Sequence, residues 1–246
     1  SLQHALALKP DCAIVQFMLL FTLNYHPDKS AQEIFAAYRE YDERVGVPLR
    51  STWREHANSR DAARRLKVGY VSPDFRKHSV RHFLEPLLAH HDKRLVEVFA
   101  YAELSVEDDL TARYRGFADH WVRTVGLTDE ALAERIRADG IDILVDLAGH
   151  TAKNRLGVFA RKPAPVSLSW MGYGYTTGLS AIDYYLTDAV SAPLGSESLF
   201  AEKPWRLKTP AYVYRPAALM GPGGASPAQT RGAVTFGTLP RAVRID

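Results

Sequence analysis

The stretch DGIDILVDLAGHTAKNRLGVFARKPAPVSLSWMGYGYTTGLSAIDYYLTD, residues 139–188, decides the fold. It holds three apolar runs of β character, 141–147, 166–170 and 184–186. Each ends in small or hydroxyl-bearing residues: Ala148-Gly149-His150-Thr151, the corner 172–178, and Thr187-Asp188. In an open α/β sheet, ligands bind outside the carboxyl ends of the strands. The glycines, threonines and histidine collected at those ends therefore mark a candidate site. Glycine lets backbone approach a ligand, and Tyr173 and Tyr175 offer flat apolar faces with one hydroxyl each, a mixed surface that suits a sugar ring. The alternative is a turn-rich connection with nothing bound. Lys162-Pro163-Ala164-Pro165 leads rigidly into the second run, because each proline fixes φ and extends the residue before it.

Outward from this block, strand and helix patterns alternate. Runs 66–71, 96–102, 120–124 and 205–207 read as strands, and 107–118 and 129–139 as helices. A further helix begins at 79–84, with Pro86 restarting or bending it. Strands rich in Val, Ile and Leu separated by helices predict an α/β fold, a doubly wound and mostly parallel Rossmann-like sheet. Right-handed crossovers put its corners on one edge. Ser72-Pro73-Asp74 stops the first strand, so Asp74 and His78 fall in the loop before a helix N-terminus, with Ser79 beside them. Such a terminus offers unpaired N–H groups and partial positive charge to an anion.

His78 is a candidate general base or a donor to a substrate hydroxyl or phosphate; the bland alternative is a helix cap. Asp74 either orients that histidine, binds a hydroxyl, or forms an Asx-type turn. Gly69 stands alone in its strand, and the glycine fingerprint of dinucleotide folds is missing, which disfavours a nicotinamide or flavin oxidoreductase. His78 and His82 are four apart without a third ligand nearby, so no metal is expected. Asp108-Asp109 reads as the polar face of a solvated helix.

The ends differ from the middle. Residues 1–50 read as a helical segment, and the line Ala5 to Asp11 is like the close of a tetratricopeptide unit. Asp11 is expected to cap 12–25, a run apolar enough to be buried almost all round. Ser30 and Glu33 form a capping pattern ahead of Ile34, Phe35, Ala37, Tyr38 and Tyr41, which share a helix face. Residues 51–65 read as a linker, 66–215 as the α/β domain, and 216–232 as a connector. Residues 233–246 read as the start of a second α/β domain, opening on a strand at 234–239. A lone repeat cannot bury its own core, and a start without methionine suggests a cut chain.

Of 246 residues, 46% are hydrophobic and 24% charged, and the net charge is only +3 with acids and bases interspersed. That balance argues against a nucleic-acid partner. One cysteine, Cys12, excludes an intramolecular disulfide and suits a reducing, cytoplasmic setting. No run approaches the roughly 20 apolar residues of a membrane helix, and no secretory leader is recognisable, so no membrane partner is expected.

Three segments carry a family likeness: VGYVSPDFRKHSV (68–80), the block 142–188, and VTFGTL (234–239). In them the chain resembles the O-GlcNAc transferase/SPINDLY glycosyltransferases, which join tetratricopeptide repeats to a GT-B architecture. Ser-Pro-Asp-Phe, His-Ser-Val and Gly-His-Thr-Ala favour the SPINDLY-like branch, while Gly174-Tyr175 and Gln16-Phe17-Met18 depart from the family's pattern. The resemblance implies the first half of a GT-B fold. It also implies an inverting, metal-independent, cofactor-free transfer of GlcNAc or fucose, from UDP-GlcNAc or GDP-fucose, to Ser or Thr hydroxyls of acceptor proteins. Acceptors would be held by the tetratricopeptide region and the cleft. By the same likeness Asp74 and His78 match the catalytic loop. Ser79, His150, Thr151, Met171, Gly172 and Tyr173 match positions lining donor sugar or acceptor. The piece alone is expected to be inactive; the competing reading is a non-catalytic interaction module with a vestigial transferase domain.

Overall fold

Seven strands form one parallel sheet in the computed structural model, which describes residues 1–9, 12–61, 63–173, 175–216, 221 and 223–236. They are β1 (Leu66–Ser72), β2 (Val96–Ala102), β3 (His120–Arg123), β4 (Ile143–Asp146), β5 (Val166–Ser169), β6 (Tyr184–Asp188) and β7 (Lys203–Leu207), ordered β3-β2-β1-β4-β5-β6-β7. The helices are α1 (Leu2–Leu8), α2 (Ala13–Leu23), α3 (Ala31–Tyr41), the single turn α4 (Val47–Leu49), α5 (Arg81–Ala89), α6 (Asp109–Phe117), α7 (Asp129–Asp139), α8 (Leu156–Phe159) and α9 (Pro227–Arg231).

Side chains alternate across the sheet, as a pleated strand requires. Val68, Tyr70, Val98, Ala100 and Val145 face α5 and α6, whose Leu84, Leu88 and Tyr114 are buried against them. Val71, Phe99, Tyr101 and Leu144 face the other way, onto Leu132 and Ile136 of α7 and Leu156 and Phe159 of α8. Helices on both faces make the sheet doubly wound, as expected. A Cβ on Gly69 would lie 2.9 Å from the Tyr101 ring, so this lone glycine makes room for packing.

Among its described residues the connection from β5 to β6 holds no helix. Helices α2 and α3 lie on it instead. Leu20, Leu23, Tyr38 and Tyr41 join the same core as Leu144 and Leu179, and the Ser180 N–H donates to Asp42 at 3.2 Å. The expected Ser30 capping box is present: Glu33 N–H donates to Ser30 Oγ at 3.2 Å and Ser30 N–H to Glu33 Oε2 at 2.9 Å. Asp11, expected to cap α2, lies outside the described residues; Cys12 takes the N-cap without a side-chain bond. Nor is α2 buried all round, because Ile14 is 68% and Met18 51% exposed.

After a 3-10 turn at Arg50–Thr52, residues 53–61 and 63–65 hold no helix or strand, yet they are tied to the sheet's amino-terminal edge. Trp53 Nε1–H donates to Ala160 O at 2.8 Å, and Asn58 and Arg64 both donate to Asp142, which precedes β4. Helix α5 continues through Pro86 rather than restarting there. The proline cannot bond the His82 carbonyl, and that carbonyl takes Arg215 N–H at 2.8 Å instead. This anchors the segment after β7 on α5. Of the strand expected at 234–239, residues 234–236 carry none, and 237–239 lie outside the described residues. Among the described residues no helix is long and apolar enough to cross a membrane.

Candidate active site

Strand order reverses beside β1: the chain leaves β1 for β2 on one side and later returns to β4 on the other. The crevice at such a switch point, outside the strands' carboxyl ends, is the favoured ligand site of this fold. Here the loop after β1, the corner after β4 and the corner after β5 converge on a cavity of about 540 Å³. Asp74, His78, Ser79, Thr151, Met171, Gly172 and Tyr173 all line it.

Asp74 is buried, 8% exposed, and its N–H donates to Ser72 Oγ at 3.0 Å. One carboxylate oxygen accepts from Arg76 at 3.3 Å; the other stands 3.6 Å from Nδ1 of the half-exposed His78. That same Nδ1 lies 3.4 Å from Val80 N–H. The two neighbours select opposite tautomers. Accepting from Val80 leaves the proton on Nε2, whereas a proton on Nδ1 turned toward Asp74 leaves Nε2 bare, as a base requires. Passing from one to the other requires the ring proton to move between the two nitrogens.

The loop is held from below by Asp108, which accepts from Leu110 and Thr111 as the N-cap of α6 and also from Lys77 N–H at 2.7 Å. Asp109 pairs with Lys77 Nζ at 2.8 Å. The acidic pair thus anchors the His78 loop, and Lys77 N–H in particular holds the Asp108 carboxyl below the usual carboxylate range. The N-terminus of α5 does not offer free N–H groups. Arg81, His82, Phe83 and Leu84 donate to the carbonyls of His78, Ser79 and Val80. His82 has both ring nitrogens engaged, with Arg215 O at 3.1 Å and Arg81 at 3.4 Å. Among the described residues no group of three or more His, Cys, Asp or Glu could hold a metal ion.

The two glycine corners meet backbone to backbone. A Cβ on Gly172 would fall 2.3 Å from Gly149 N, and Gly149 itself has φ +53 and bridges to Tyr173. Buried Asp146 fixes this seam by accepting from Ala148 N–H at 3.1 Å, Gly149 N–H at 2.9 Å and the Ser169 hydroxyl at 2.8 Å. Thr151 donates its hydroxyl to Ala148 O at 2.8 Å, which leaves it an acceptor toward the cavity. Met171 sits at φ +75, a left-handed conformation that costs a branched or long side chain of order 1–2 kcal/mol.

His150 is not brought to the cavity, against the expectation that it touches substrate. Its ring is 2% exposed and packs among Phe17, Tyr38 and Tyr41, with Nε2 2.7 Å from Thr177 O. Burial pushes its pKa down to about 4. Thr176 and Thr177 of the 172–178 corner also turn inward, 2% and 1% exposed. In their place the structure supplies an aromatic wall that the chain's local pattern does not disclose. Phe21 of α2 lies 4.6 Å from the Tyr173 ring, which stacks on Tyr25 at 5.5 Å; Phe83 and Tyr212 close the other side.

The sequence profile of Glycosyl transferase family 41 matches residues 19–214, spanning all of these loops. This chain belongs to that family. The Petunia hybrida protein named probable UDP-N-acetylglucosamine–peptide N-acetylglucosaminyltransferase SPINDLY is 35% identical over 98% of this chain and 26% of its own length. A Caenorhabditis elegans UDP-N-acetylglucosamine–peptide N-acetylglucosaminyltransferase is 40% identical over 56% of this chain and 12% of its own length. A solved structure of a mutant O-GlcNAc transferase from Thermobaculum terrenum superposes with a TM-score of 0.80 at 38% identity, covering 86% of this chain and 40% of that one. The family 41 chain described here thus spans about a quarter of the SPINDLY relative's length.

Proposed function

We propose that this chain supplies one wall of the active site of a protein O-glycosyltransferase. The reaction moves GlcNAc from UDP-GlcNAc, or fucose from GDP-fucose, to a Ser or Thr hydroxyl, with inversion and without a metal ion. The supporting observation is the meeting of the Asp74–His78 pair, the Gly149–Gly172 seam and the Phe21–Tyr173 wall at one open cavity, in a chain of this family. The acceptor hydroxyl attacks the anomeric carbon, the bond to the diphosphate breaks, and the hydroxyl proton must leave. His78 takes that proton on Nε2 when Nδ1–H faces Asp74, whose other oxygen Arg76 holds. With its first N–H groups spent, α5 offers the leaving diphosphate its dipole alone. The aromatic wall takes the apolar faces of sugar or acceptor, and Phe21 brings the helical segment into the acceptor path. One cysteine fits a cytoplasmic setting for the enzyme.

The test is transfer by the full-length protein from each donor. His78→Ala is expected to lower turnover by about 10²–10⁴, as loss of a general base does, whereas His82→Ala, whose ring lies outside the cavity, is not. A loss below about tenfold removes the base role. Acceptor binding without turnover of either sugar makes the chain an interaction module.

A further inference from the structure

One buried carboxylate lies outside the cavity lining. Glu202, just before β7, is 3% exposed and accepts three hydrogen bonds: Thr176 Oγ1–H at 2.5 Å, Thr177 N–H at 2.8 Å, and Thr177 Oγ1–H. The Thr176 hydroxyl oxygen already accepts from Gly178 N–H at 3.1 Å and Ala201 N–H at 3.2 Å, so both lone pairs are occupied and its one hydrogen must go to Glu202. Thr177 Oγ1 likewise accepts from Leu179 N–H at 3.2 Å while donating to Glu202. An amide nitrogen facing Thr176 would aim N–H at an oxygen with no lone pair left, and turned over it would aim N–H at the Thr177 N–H.

The stretch so held is pinned from two further sides. Thr177 O accepts from His150 Nε2–H at 2.7 Å, and a Cβ on Gly178 would lie 2.6 Å from Tyr38 O. It continues directly from Met171, Gly172 and Tyr173, the cavity rim, and among the described residues no helix in this connection stiffens it. The rim includes one strained residue, Met171 at φ +75, which persists only where its surroundings hold it.

We propose that Glu202 is a positioning residue: by accepting from Thr176 and Thr177 it fixes the β5–β6 connection and so sets the Met171–Tyr173 rim against the bound nucleotide-sugar. The assignment rests on the transferase reading for its ligand, but not for its mechanics. Contacts made by a preset rim are shared by ground and transition states, so their loss raises KM and spares kcat.

The experiment uses the full-length protein with Glu202→Gln, Thr177→Val and Thr177→Ser, read by peptide-resolved amide exchange and by steady-state kinetics with UDP-GlcNAc and GDP-fucose. Glu202→Gln is expected to speed exchange across 171–180 by about tenfold or more while peptides of β1 and β4 keep their rates, as leaving buried donors unpaired implies. KM for the donor is expected to rise about tenfold, with kcat within about threefold. Thr177→Val should move both readouts the same way and Thr177→Ser, which keeps the hydroxyl, should restore them. Unchanged exchange and KM in Glu202→Gln overturn the proposal, as does equal loosening of the whole sheet. If Glu202→Gln does not fold, identical behaviour of Thr177→Val and Thr177→Ser overturns it. Absence of transfer by the wild type sinks the transferase reading alone, because exchange still reports on the rim.

Discussion

His150 shows how a single side chain can sit beside a cavity and still belong to the core. Gly149 at φ +53 turns the chain just before it, and the ring drops under the corner onto Tyr38 and Tyr41. Strand alternation stops at the strand's end, so no periodic signal says which way that ring points; Asp74 and His78 were legible because a loop between strand end and helix start has only one crevice to face. Burial pushes His150 down to about 4 from an ordinary 6.5, so the folded state holds it neutral while the unfolded chain takes up a proton below 6.5. Its contribution is complete above pH 6.5 and is lost as pH falls toward 4, amounting to roughly 3 kcal/mol at about 1.4 kcal/mol per unit. Urea melts of wild type and His150→Phe at pH 7 and 4.5 should show the smaller acid loss in the variant; parallel losses would remove His150 from the acid limb. Asp108 makes a second residue-scale case. The chain reads it as part of a helix's polar face, whereas it is the N-cap of α6, and its bond to Lys77 N–H, 31 residues away, has no local signature. Asparagine caps a helix as well as aspartate yet cannot accept with its nitrogen. Asp108→Asn should therefore leave the melting temperature nearly unchanged while freeing the Lys77 amide to exchange. Transfer should drop by roughly tenfold as His78 loses its placement. A variant with wild-type exchange at residues 75–78 would show that the tether does not hold the loop.

At the scale of elements, strand β2 and helix α7 follow their apolar patterns to the residue. The helix is bounded by its own signals: Thr128 caps α7 through Ala131 N–H, and Gly140 ends it at φ +67. The four-residue α8 and the passage from β5 to β6, without a helix among its described residues, carry no such bounds, because a turn of that length is set by what it packs on. The glycine-rich corner likewise divides on tertiary grounds. Gly172 is where two backbones touch, whereas Gly116 on α6 has open space around its missing Cβ. Alanine should therefore act with opposite sign at the two positions. Gly172→Ala must push the β4 and β5 corners apart, at a cost of about 1–3 kcal/mol or more and with weaker donor binding. Gly116→Ala should stabilise by about 0.5–1 kcal/mol, through helix propensity and a less flexible unfolded chain. Denaturant midpoints at constant m-value check both, and a neutral Gly172→Ala would mean that the seam is looser than its geometry.

The molecule as a whole departs most from a linear reading of domains. Residues before 50 look like an attachment when the chain is taken in order, since their helical period differs from the strands that follow. In space they fill the place a crossover helix would occupy over the β5–β6 connection. Leu20 and Tyr38 share one core with Leu144, Leu156 and Leu179, and Phe21 reaches the cavity. No local pattern could reveal this, because each helix shows only that it has an apolar face, not which surface receives it. If the core is common, its unfolding is cooperative across the boundary. All four tryptophans, Trp53, Trp121, Trp170 and Trp205, lie in the 51–65 segment or the sheet region and none lies in the first 50 residues. Their fluorescence therefore follows the α/β part, while far-ultraviolet circular dichroism also follows the first helices. Leu20→Ala, at a position 3% exposed, removes buried atoms expected to be worth about 2–5 kcal/mol. With one shared core, both probes should shift together to a single lower midpoint. Should the tryptophan transition stay at its wild-type position while the dichroism signal splits, the helices unfold on their own, and Phe21 is a guest at the cavity rather than part of its wall.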